Sequence, residues 1–303
     1  MENPYQNRKA IKSPDEFFGR KKEISRIFAL ISSAAEPHSI SIVGERKIGK
    51  SSLFHFVKDE ATRKKYLKDF NDYIFIYLKL STFLGYDTER FCEMLLRELS
   101  SATSEEIHPS YNNIHEALEK FVETLSSGGK KIIIMLDEFD SVLEIPAFNS
   151  DLLGYFRGLI NRYSLSFITS SRVSIRELTE TENNSQIEIE DSSPFFNIFY
   201  GIGLGFLEKQ EALELIEKPS SRQGIRFNKE DKNFINEIAF LHPFFIQVAC
   251  YHLFNLRKEE NKLNGEKLNK HIYDSLFQRF YEDTIDYWDF YLDHMIGLKK
   301  MYS

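Results

Sequence analysis

The run Gly44–Ser51 constrains this chain more than any other feature, because it reads G-x-x-x-x-G-K-S and matches a phosphate-binding loop. The apolar run Ser39–Val43 precedes it and is typical of a buried strand. After it, Leu53, Phe54 and Val57 have the spacing of one helix face. A strand before the loop and a helix after it are the context such a loop requires, so a chance match is the minor alternative.

Each part of the loop has a predicted role toward a nucleotide. Gly44 and Gly49 allow the backbone to curl so that its N–H groups point at an anion, and the side chains of the loop's basic pair are therefore expected to be solvated. We expect Lys50 to reach the β- and γ-phosphates and the Ser51 hydroxyl to bind Mg²⁺. The predicted nucleotide-binding residues of this segment are Gly44, Glu45, Arg46, Lys47, Ile48, Gly49, Lys50, Ser51 and Ser52.

Two carboxylates end another apolar run, Ile132–Glu138. A buried strand would deliver Asp137 and Glu138 to its carboxyl end, where open α/β sheets bind their ligands. Asp137 is predicted to hold Mg²⁺ directly or through water, and Glu138 to orient and polarise an attacking water. The alternative is a strand that simply runs into an acidic surface loop.

A further apolar strand, Leu165–Ser170, ends in hydroxyls and a cation. Next to the strand of Asp137, it would carry Thr169, Ser170 or Arg172 to the γ-phosphate, where an arginine stabilises charge or reports which nucleotide is bound. We therefore predict Lys50, Glu138 and Arg172 as the catalytic residues. The alternative for Arg172 is an ordinary surface cation after a strand.

Two aromatic segments supply further nucleotide-binding candidates. Phe18, Gly19 and Arg20 precede the first predicted helix, and Phe18 either flanks the adenine or serves as a hydrophobic staple for that helix. His242 and Pro243 open a later helix, since proline suits the first turn. The alternative for His242 is a capping or packing role.

Alternating strands and helices indicate an α/β fold with a parallel sheet flanked by helices in residues 1–206, followed by an all-α lid in residues 207–303. The predicted strands are Ser39–Val43, Tyr73–Leu80, Lys131–Leu136, Leu165–Ser170 and, more weakly, Ile198–Leu204. The predicted helices are Lys21–Ser32, Lys50–Thr62, Thr88–Ser101, Asn113–Ser126 and Ser150–Tyr163, then Lys209–Glu217, Lys229–Phe240, Pro243–Arg257 and Leu263–Tyr281. The polar stretch Glu177–Ser193 is expected to be a loop.

Composition restricts the possible partners and the compartment. The formal charge of −7 argues against a nucleic-acid-binding protein, although a local basic patch stays possible. Cys92 and Cys250 lie far apart on apolar segments and are expected to be reduced thiols. With no apolar signal core and no run of membrane-spanning length, the chain is predicted to be cytoplasmic.

Six segments together resemble the AAA-like STAND NTPases of bacteria and archaea, which are signal-transduction ATPases related to AAA+ and origin-recognition ATPases. The resemblance covers about residues 14–290. The segments are Phe17–Ile24, Val43–Ser52, Met135–Asp140, Thr169–Arg172, Ser193–Phe199 and His242–Gln247. The phosphate-binding and acidic motifs are generic, whereas their combination with the aromatic segments is much more specific.

This resemblance implies an ATP-binding core of the ASCE/AAA+ type, a helical lid, and a nucleotide-controlled switch between closed and homo-oligomeric states. It implies that Arg172 senses the γ-phosphate and that His242 and Pro243 contact nucleotide from the lid. It also implies an effector or sensor partner. Members of this family usually carry a further module, which would begin at the segment around Trp288.

Three classes of function are compatible with these sequence features. The leading one is a slow ATPase, with ATP or ADP and Mg²⁺ as ligands, that acts as a switch in defence or stress signalling. The second is a DNA-associated AAA+ ATPase of the origin-recognition or transposition-helper type, which calls for a basic face. The third is a nucleotide-binding scaffold without hydrolysis, against which Glu138 argues.

Overall fold

The computed structural model describes residues 2–5, 9–33, 36–103, 105, 113–180, 195–260, 262 and 264–301, with the backbone alone for 176, 179, 180 and 288–301. The chain divides into two compact units. One, the α/β unit, comprises Lys21–Arg46 and Lys50–Gly205. The other, the helical unit, comprises Met1–Arg20, Lys47–Gly49 and Phe206–Ser303.

A five-stranded parallel sheet forms the centre of the α/β unit, in the order β2-β3-β4-β1-β5. The strands are β1 (Ser39–Gly44), β2 (Tyr73–Lys79), β3 (Lys131–Asp137), β4 (Leu165–Ser171) and β5 (Phe199–Leu204). All five predicted strands are confirmed to within a residue or so at each end. Because β1 and β3 lie on either side of β4, the loop after β1 and the acids after β3 share one edge of the sheet.

Helices lie on both faces of this sheet, which confirms the predicted fold class. They are α1 (Lys21–Ile31), α2 (Lys50–Lys58), α3 (Glu60–Tyr66), α4 (Thr88–Thr103), α5 (Ile114–Ser127), α6 (Ser150–Arg162) and α7 (Ile175–Glu180). On β2, Ile74, Ile76 and Leu78 join the core built with α4, α5 and α6. Phe75 and Tyr77 point to the opposite face, where cations of α2 and α3 cover their rings.

The helix predicted over Lys50–Thr62 is in fact two helices. Asp59 has extended backbone dihedral angles, and its carboxylate accepts a hydrogen bond from the Thr62 N–H at 2.9 Å. Aspartate is a favoured N-cap because its side chain satisfies a backbone N–H that the first turn leaves unpaired. The sequence prediction missed this break because no glycine or proline marks it between Lys50 and Tyr66.

Four helices make up most of the helical unit: α8 (Lys209–Arg222), α9 (Lys229–Ala239), α10 (Pro243–Glu259) and α11 (Lys270–Met301). Three predicted ends were wrong, one of them the end of the last helix, which was predicted at Tyr281 and lies at Met301. α8 continues through Pro219, which is buried within the helix, and α11 begins at Lys270 instead of Leu263. The helix after Pro243 is confirmed, with proline in the first turn as expected.

The N-terminal segment packs in the core of the helical unit. Tyr5 is 3% exposed and lies against Phe227 and Phe254, and its hydroxyl donates to the Ile216 carbonyl. A division of the chain at residues 206 and 207 into separately folding domains stays a prediction. In the described part of the chain, no helix combines the length and apolar character needed to cross a membrane.

A buried ion pair organises the helical unit. Asp231 and Arg257 are both fully buried, and the Arg257 guanidinium donates to Asp231 through Nε at 3.0 Å and through Nη2. The second carboxylate oxygen of Asp231 accepts from the Tyr273 hydroxyl at 2.8 Å. Asp231 also completes a capping box with Asn228 at the start of α9. One carboxylate therefore ties together α9, α10 and α11.

We predict that Asp231→Asn destabilises the helical unit by about 3–5 kcal/mol, because Arg257 would stay buried without a counter-charge. Urea unfolding combined with hydrogen exchange of the α9 and α10 amides measures this loss. The matched control is Glu237→Gln, which removes an exposed acid of the same helix and should leave the unfolding curve unchanged. Equal stability of the two variants would contradict an energetic role for the pair.

Candidate functional site

The predicted phosphate-binding loop connects β1 to α2, as its sequence context requires. Two of its residues adopt positive φ angles, Lys47 at 66° and Gly49 at 105°. A Cβ at Gly49 would meet no atom within 4 Å, so conformation alone accounts for the glycine. The loop therefore has the curled backbone on which the predicted anion cradle depends.

Lys50 lies at the first turn of α2, with its ammonium directed back over the loop. Its Nζ donates to the carbonyl oxygens of Gly44 at 2.6 Å and Glu45 at 3.0 Å. Burial lowers the Lys50 pKa, and the nearby carboxylates of Asp140 and Asp137 partly oppose that shift. A half-buried cation surrounded by acids is suited to a polyanion that arrives with a divalent metal ion.

Asp137 ends β3 and is 1% exposed. One of its oxygens accepts from the Ser170 hydroxyl and from the Glu138 N–H at 3.0 Å, and the other accepts from the Tyr77 hydroxyl at 2.9 Å. These donors compensate the loss of hydration that burial imposes on the carboxylate. They also fix its orientation relative to β2 and β4.

The side chains present fit a magnesium site of the predicted kind. Mg²⁺ prefers oxygen ligands and keeps several waters, so one hydroxyl and one carboxylate suffice on the protein side. Ser51 adjoins Lys50, whose ammonium lies within electrostatic range of Asp137. Ser51 and Asp137 are therefore the residues that would hold the ion, with Asp137 acting through water because its oxygens already accept hydrogen bonds.

Glu138 adopts left-handed backbone angles, with φ 56° and ψ 49°. Its carboxylate accepts a hydrogen bond from the Ser81 hydroxyl and pairs with the Lys79 ammonium at 3.0 Å. Non-glycine residues rarely adopt this conformation, and such residues cluster at functional sites. The predicted water-orienting carboxylate is therefore already engaged by two groups at and after the end of β2.

The structure at the end of β4 narrows the three candidates for the γ-phosphate, Thr169, Ser170 and Arg172. Thr169 and Ser170 are fully buried, and the Ser170 hydroxyl donates to Asp137, so neither is a candidate for the γ-phosphate. The Arg172 side chain is 55% exposed, and its Nε lies 3.7 Å from an Asp140 oxygen. Its backbone N–H also donates to Asp140, at 2.9 Å. Arg172 thus stays the candidate on this strand.

Gly19 and Arg20 belong to the helical unit, and Arg20 contacts the loop segment Lys47–Gly49. Both have positive φ, 82° and 63°, and a Cβ at Gly19 would lie 3.0 Å from the Glu211 Cβ. Arg20 is 3% exposed and donates through Nη2 to the Ile48 carbonyl at 3.0 Å. The geometry therefore supports Arg20 as a residue that positions the loop backbone.

Lys47 was expected to be solvated, and that expectation was wrong. Its Nζ lies 5.4 Å from the ring centroid of Phe244 on α10 and 5.9 Å from that of Tyr287 on α11. A lysine ammonium at such distances over an aromatic face is held by a cation–π interaction. The loop's side chains are therefore not all directed to solvent, as the backbone-cradle argument had assumed.

His242 caps α10. It is 1% exposed, and its Nδ1 accepts from the Phe244 N–H at 3.2 Å and the Phe245 N–H at 3.5 Å. Burial lowers its pKa to about 3, and the charge of Arg20 contributes in the same direction. The structure thus supports the capping alternative, with a neutral imidazole, and Pro243 follows in the first turn.

Phe18 packs against the core of the helical unit. The cations of Lys218 and Arg222 lie 6.0 and 5.8 Å from its ring centroid. These neighbours give Phe18 a packing role within the helical unit. A contact with adenine stays a prediction.

Sequence reasoning gave no role to four residues of this edge: Tyr77, Lys79, Ser81 and Asp140. The sequence indicated these residues only indirectly. It predicted β2 as a strand, but it did not predict that β2 pairs with β3. The register places Lys79 beside Asp137. Ser81, which follows Lys79, therefore lies at the same carboxyl end of the sheet as Glu138. Asp140 belongs to the acidic motif that begins at Met135, and its partner Arg172 comes from another strand.

Residues 31–283 match the family described as Novel STAND NTPase 2. The chain belongs to this family. No curated protein matches it in sequence. The family places this STAND NTPase among the P-loop NTPases, which confirms the resemblance inferred from the motifs.

Solved structures share the fold at low sequence identity. A Walker-type ATPase of Pyrococcus abyssi is 14% identical with a TM-score of 0.63, covering 99% of this chain and 81% of its own. The ADP form of the Aeropyrum pernix ORC2 protein is 15% identical with a TM-score of 0.63, covering 92% and 72%. Domain III of the Thermotoga maritima replication initiation protein DnaA is 13% identical with a TM-score of 0.55, covering 89% and 96%. These similarities confirm an AAA+-like fold.

We predict that His242 makes the stability of this STAND NTPase depend on pH. The folded protein keeps the imidazole neutral down to about pH 3, whereas the unfolded chain takes up a proton below about 6.5. The stabilisation is therefore complete above pH 6.5 and is lost as the pH falls, by at most about 1.4 kcal/mol per unit. His242→Asn keeps a capping side chain and should flatten unfolding free energies between pH 7 and 5. An unchanged slope in that variant would refute the assignment.

Proposed function

We propose that this chain binds ATP with Mg²⁺, hydrolyses it slowly, and acts as a nucleotide-controlled switch in signalling or defence. The observation that carries the proposal is the group of charges around Lys50. Asp140, Asp137, Arg172 and Glu138 all act electrostatically on its ammonium. Beside a curled G-x-x-x-x-G-K-S loop, this group supplies a phosphate-binding cation, metal-binding oxygen, a water-orienting acid and a sensing arginine.

The binding part of the proposal rests on Lys50, Ser51 and Asp137. Lys50 now donates to two loop carbonyls, and phosphate oxygens would replace those acceptors with charged ones. The bound metal ion supplies charge neutralisation along the phosphates. Ser51 and Asp137 contribute the oxygens that orient it, and the dipole of α2 adds positive potential at the same place.

Slow hydrolysis follows from the contacts of Glu138. A carboxylate orients water best when its oxygens are available to accept from that water. Here one oxygen accepts from Ser81 and the other pairs with Lys79. Glu138 must exchange at least one of these partners for water before it can act, which lowers the fraction of protein competent for hydrolysis. A long-lived triphosphate state suits a switch.

Switching itself is assigned to Arg172 and Asp140. The exposed Arg172 guanidinium lies near a carboxylate with which the γ-phosphate of ATP can compete, and ADP offers no such group. A ligand shifts a conformational equilibrium only through contacts that differ between the two states. The γ-phosphate is therefore the part of the nucleotide that changes the arginine's partner.

Roles for the helical-unit residues are also proposed. Arg20 holds the loop segment Lys47–Gly49 in its conformation, Gly19 provides the positive φ that precedes Arg20, and His242 with Pro243 fixes the start of α10. We place these residues as determinants of loop geometry, with Phe18 packing behind them. A homo-oligomer and an effector or sensor protein are proposed partners because a switch needs a component that reads its state.

The runner-up function is a DNA-associated AAA+ ATPase. Structures of the same fold include the Aeropyrum pernix ORC1 protein in complex with DNA, at 12% identity. At that identity the fold is shared while the site chemistry is not implied. We favour the signalling switch because the net charge of −7 opposes a DNA-binding surface. Retention of DNA at physiological salt would reverse this preference.

We predict that Lys50→Ala weakens ATP binding at least about a hundredfold, since a charge-assisted contact to the phosphates is lost. Isothermal titration calorimetry with ATP and Mg²⁺ measures the change. Arg46→Ala is the matched control, because it removes an exposed cation of the same loop and should change affinity little. Equal losses in both variants would mean that net loop charge, not Lys50, binds the nucleotide.

We predict that Glu138→Gln lowers ATP turnover about 10²- to 10⁴-fold with nucleotide affinity unchanged, because the amide cannot accept a proton from water. Ser81→Ala and Lys79→Met should raise turnover, each by no more than about fivefold, since contacts this exposed contribute about 0–1 kcal/mol. Phosphate release under single-turnover conditions separates these effects from product release. A slower Ser81→Ala variant would show that Ser81 assists Glu138 instead of restraining it.

A further inference from the structure

A cavity of 490 Å³ lies at the other end of the α/β unit's sheet. Its walls include Tyr73 and Phe75 of β2, Thr103 at the end of α4, Thr124 of α5 and Lys130 just before β3. The volume falls within the range of small-molecule sites. The cavity therefore has the size of a ligand site, and its chemistry indicates the ligand class.

Arg63 supplies the main positive charge of this cavity. Its Nη1 donates to the Tyr73 carbonyl at 3.3 Å, and its guanidinium lies 5.2 Å from the Phe75 ring centroid. Its Nε is buried, and the described residues offer it no acceptor. A guanidinium pairs bidentately with carboxylate or phosphate through two neighbouring N–H groups. Among the described residues only Nη1 has an acceptor, so the guanidinium keeps further N–H groups with which an oxyanion could pair.

The remaining charges define the rest of the ligand. Lys130 also lines the cavity, but Asp72 at 3.6 Å and the Asn71 carbonyl at 3.2 Å already engage its ammonium. Glu105 lines another wall, next to the carboxyl end of α4, where the helix dipole is negative. A ligand that carries only negative charge would be repelled there. One that also carries an ammonium group would be attracted on both sides.

This cavity is separate from the nucleotide site within the same unit. Tyr73 and Lys130 stand at the amino ends of β2 and β3, whereas Asp137 stands at the carboxyl end of β3. Seven residues of strand separate the two ends, which corresponds to about 20 Å. A molecule bound at Arg63 would therefore leave the phosphate-binding loop free.

We propose that this cavity is a second ligand site, which binds a small zwitterion through its oxyanion at Arg63 and its ammonium group near Glu105. The carboxylate of an amino acid and the phosphate of an aminoalkyl phosphate share the required chemistry. The site goes beyond the nucleotide-dependent function proposed above and does not depend on it.

The test uses the full chain with and without excess ADP and Mg²⁺, so that binding at the phosphate-binding loop is distinguished from binding in the cavity. Calorimetric titrations with glutamate and with O-phosphoethanolamine distinguish the two oxyanions, and ethanolamine serves as the probe that lacks one. We expect millimolar or tighter binding of at least one zwitterion, none of ethanolamine, and slower hydrogen exchange in residues 70–75 and 124–130. Arg63→Gln should weaken that binding at least tenfold.

Two further variants keep the test decisive. Lys64→Gln removes the neighbouring exposed cation of α3 and should leave zwitterion affinity unchanged. Thr124→Trp fills the cavity from an exposed position and should abolish binding even if Arg63→Gln proves unstable. The proposal is overturned if neither zwitterion binds, if ethanolamine binds equally well, or if binding survives Thr124→Trp.

Discussion

The arrangement of the candidate site depends on a single buried carboxylate, that of Asp137. At 1% exposure it would be strongly destabilising without partners, and hydrogen bonds from Tyr77 on β2, Ser170 on β4 and its own neighbour's N–H compensate this cost. The same bonds connect three adjacent strands at one edge of the sheet. The chain then leaves β3 through Glu138, whose left-handed backbone angles set the direction it takes.

Much of this arrangement could be predicted from local sequence. The strands were visible as short apolar runs, and the loop as a glycine-spaced motif between two such elements. What local sequence could not supply was the pairing of β2 with β3, which places Ser81 next to an acid 57 residues later. The Asp59 cap and the continuation of α8 through Pro219 were missed for a related reason, because tertiary packing overrides local propensity at such places.

The helical unit shows why residue type alone was an incomplete guide to role. Arg20 and His242 were predicted to bind nucleotide because they stand in distinctive aromatic segments. In the structure Arg20 donates to a loop carbonyl, and His242 caps a helix as a neutral imidazole. These are interactions with backbone, which a side-chain motif does not reveal. Such residues affect a bound ligand through the geometry they impose on the segments they contact.

The two sets of contacts at Lys50 and Glu138 impose different requirements on binding and on hydrolysis. In the proposed function, Lys50 would exchange neutral carbonyl acceptors for charged phosphate oxygens, so its present bonds would oppose nucleotide binding only weakly. Glu138 would have to give up at least one of its partners, the Lys79 ammonium or the Ser81 hydroxyl, to accept from water, so its present bonds would oppose hydrolysis directly. Because different residues hold these two contacts, substitutions at Lys79 and Ser81 can change the lifetime of the triphosphate state without changing affinity. In the proposed function, the protein would therefore bind ATP long before it hydrolyses it.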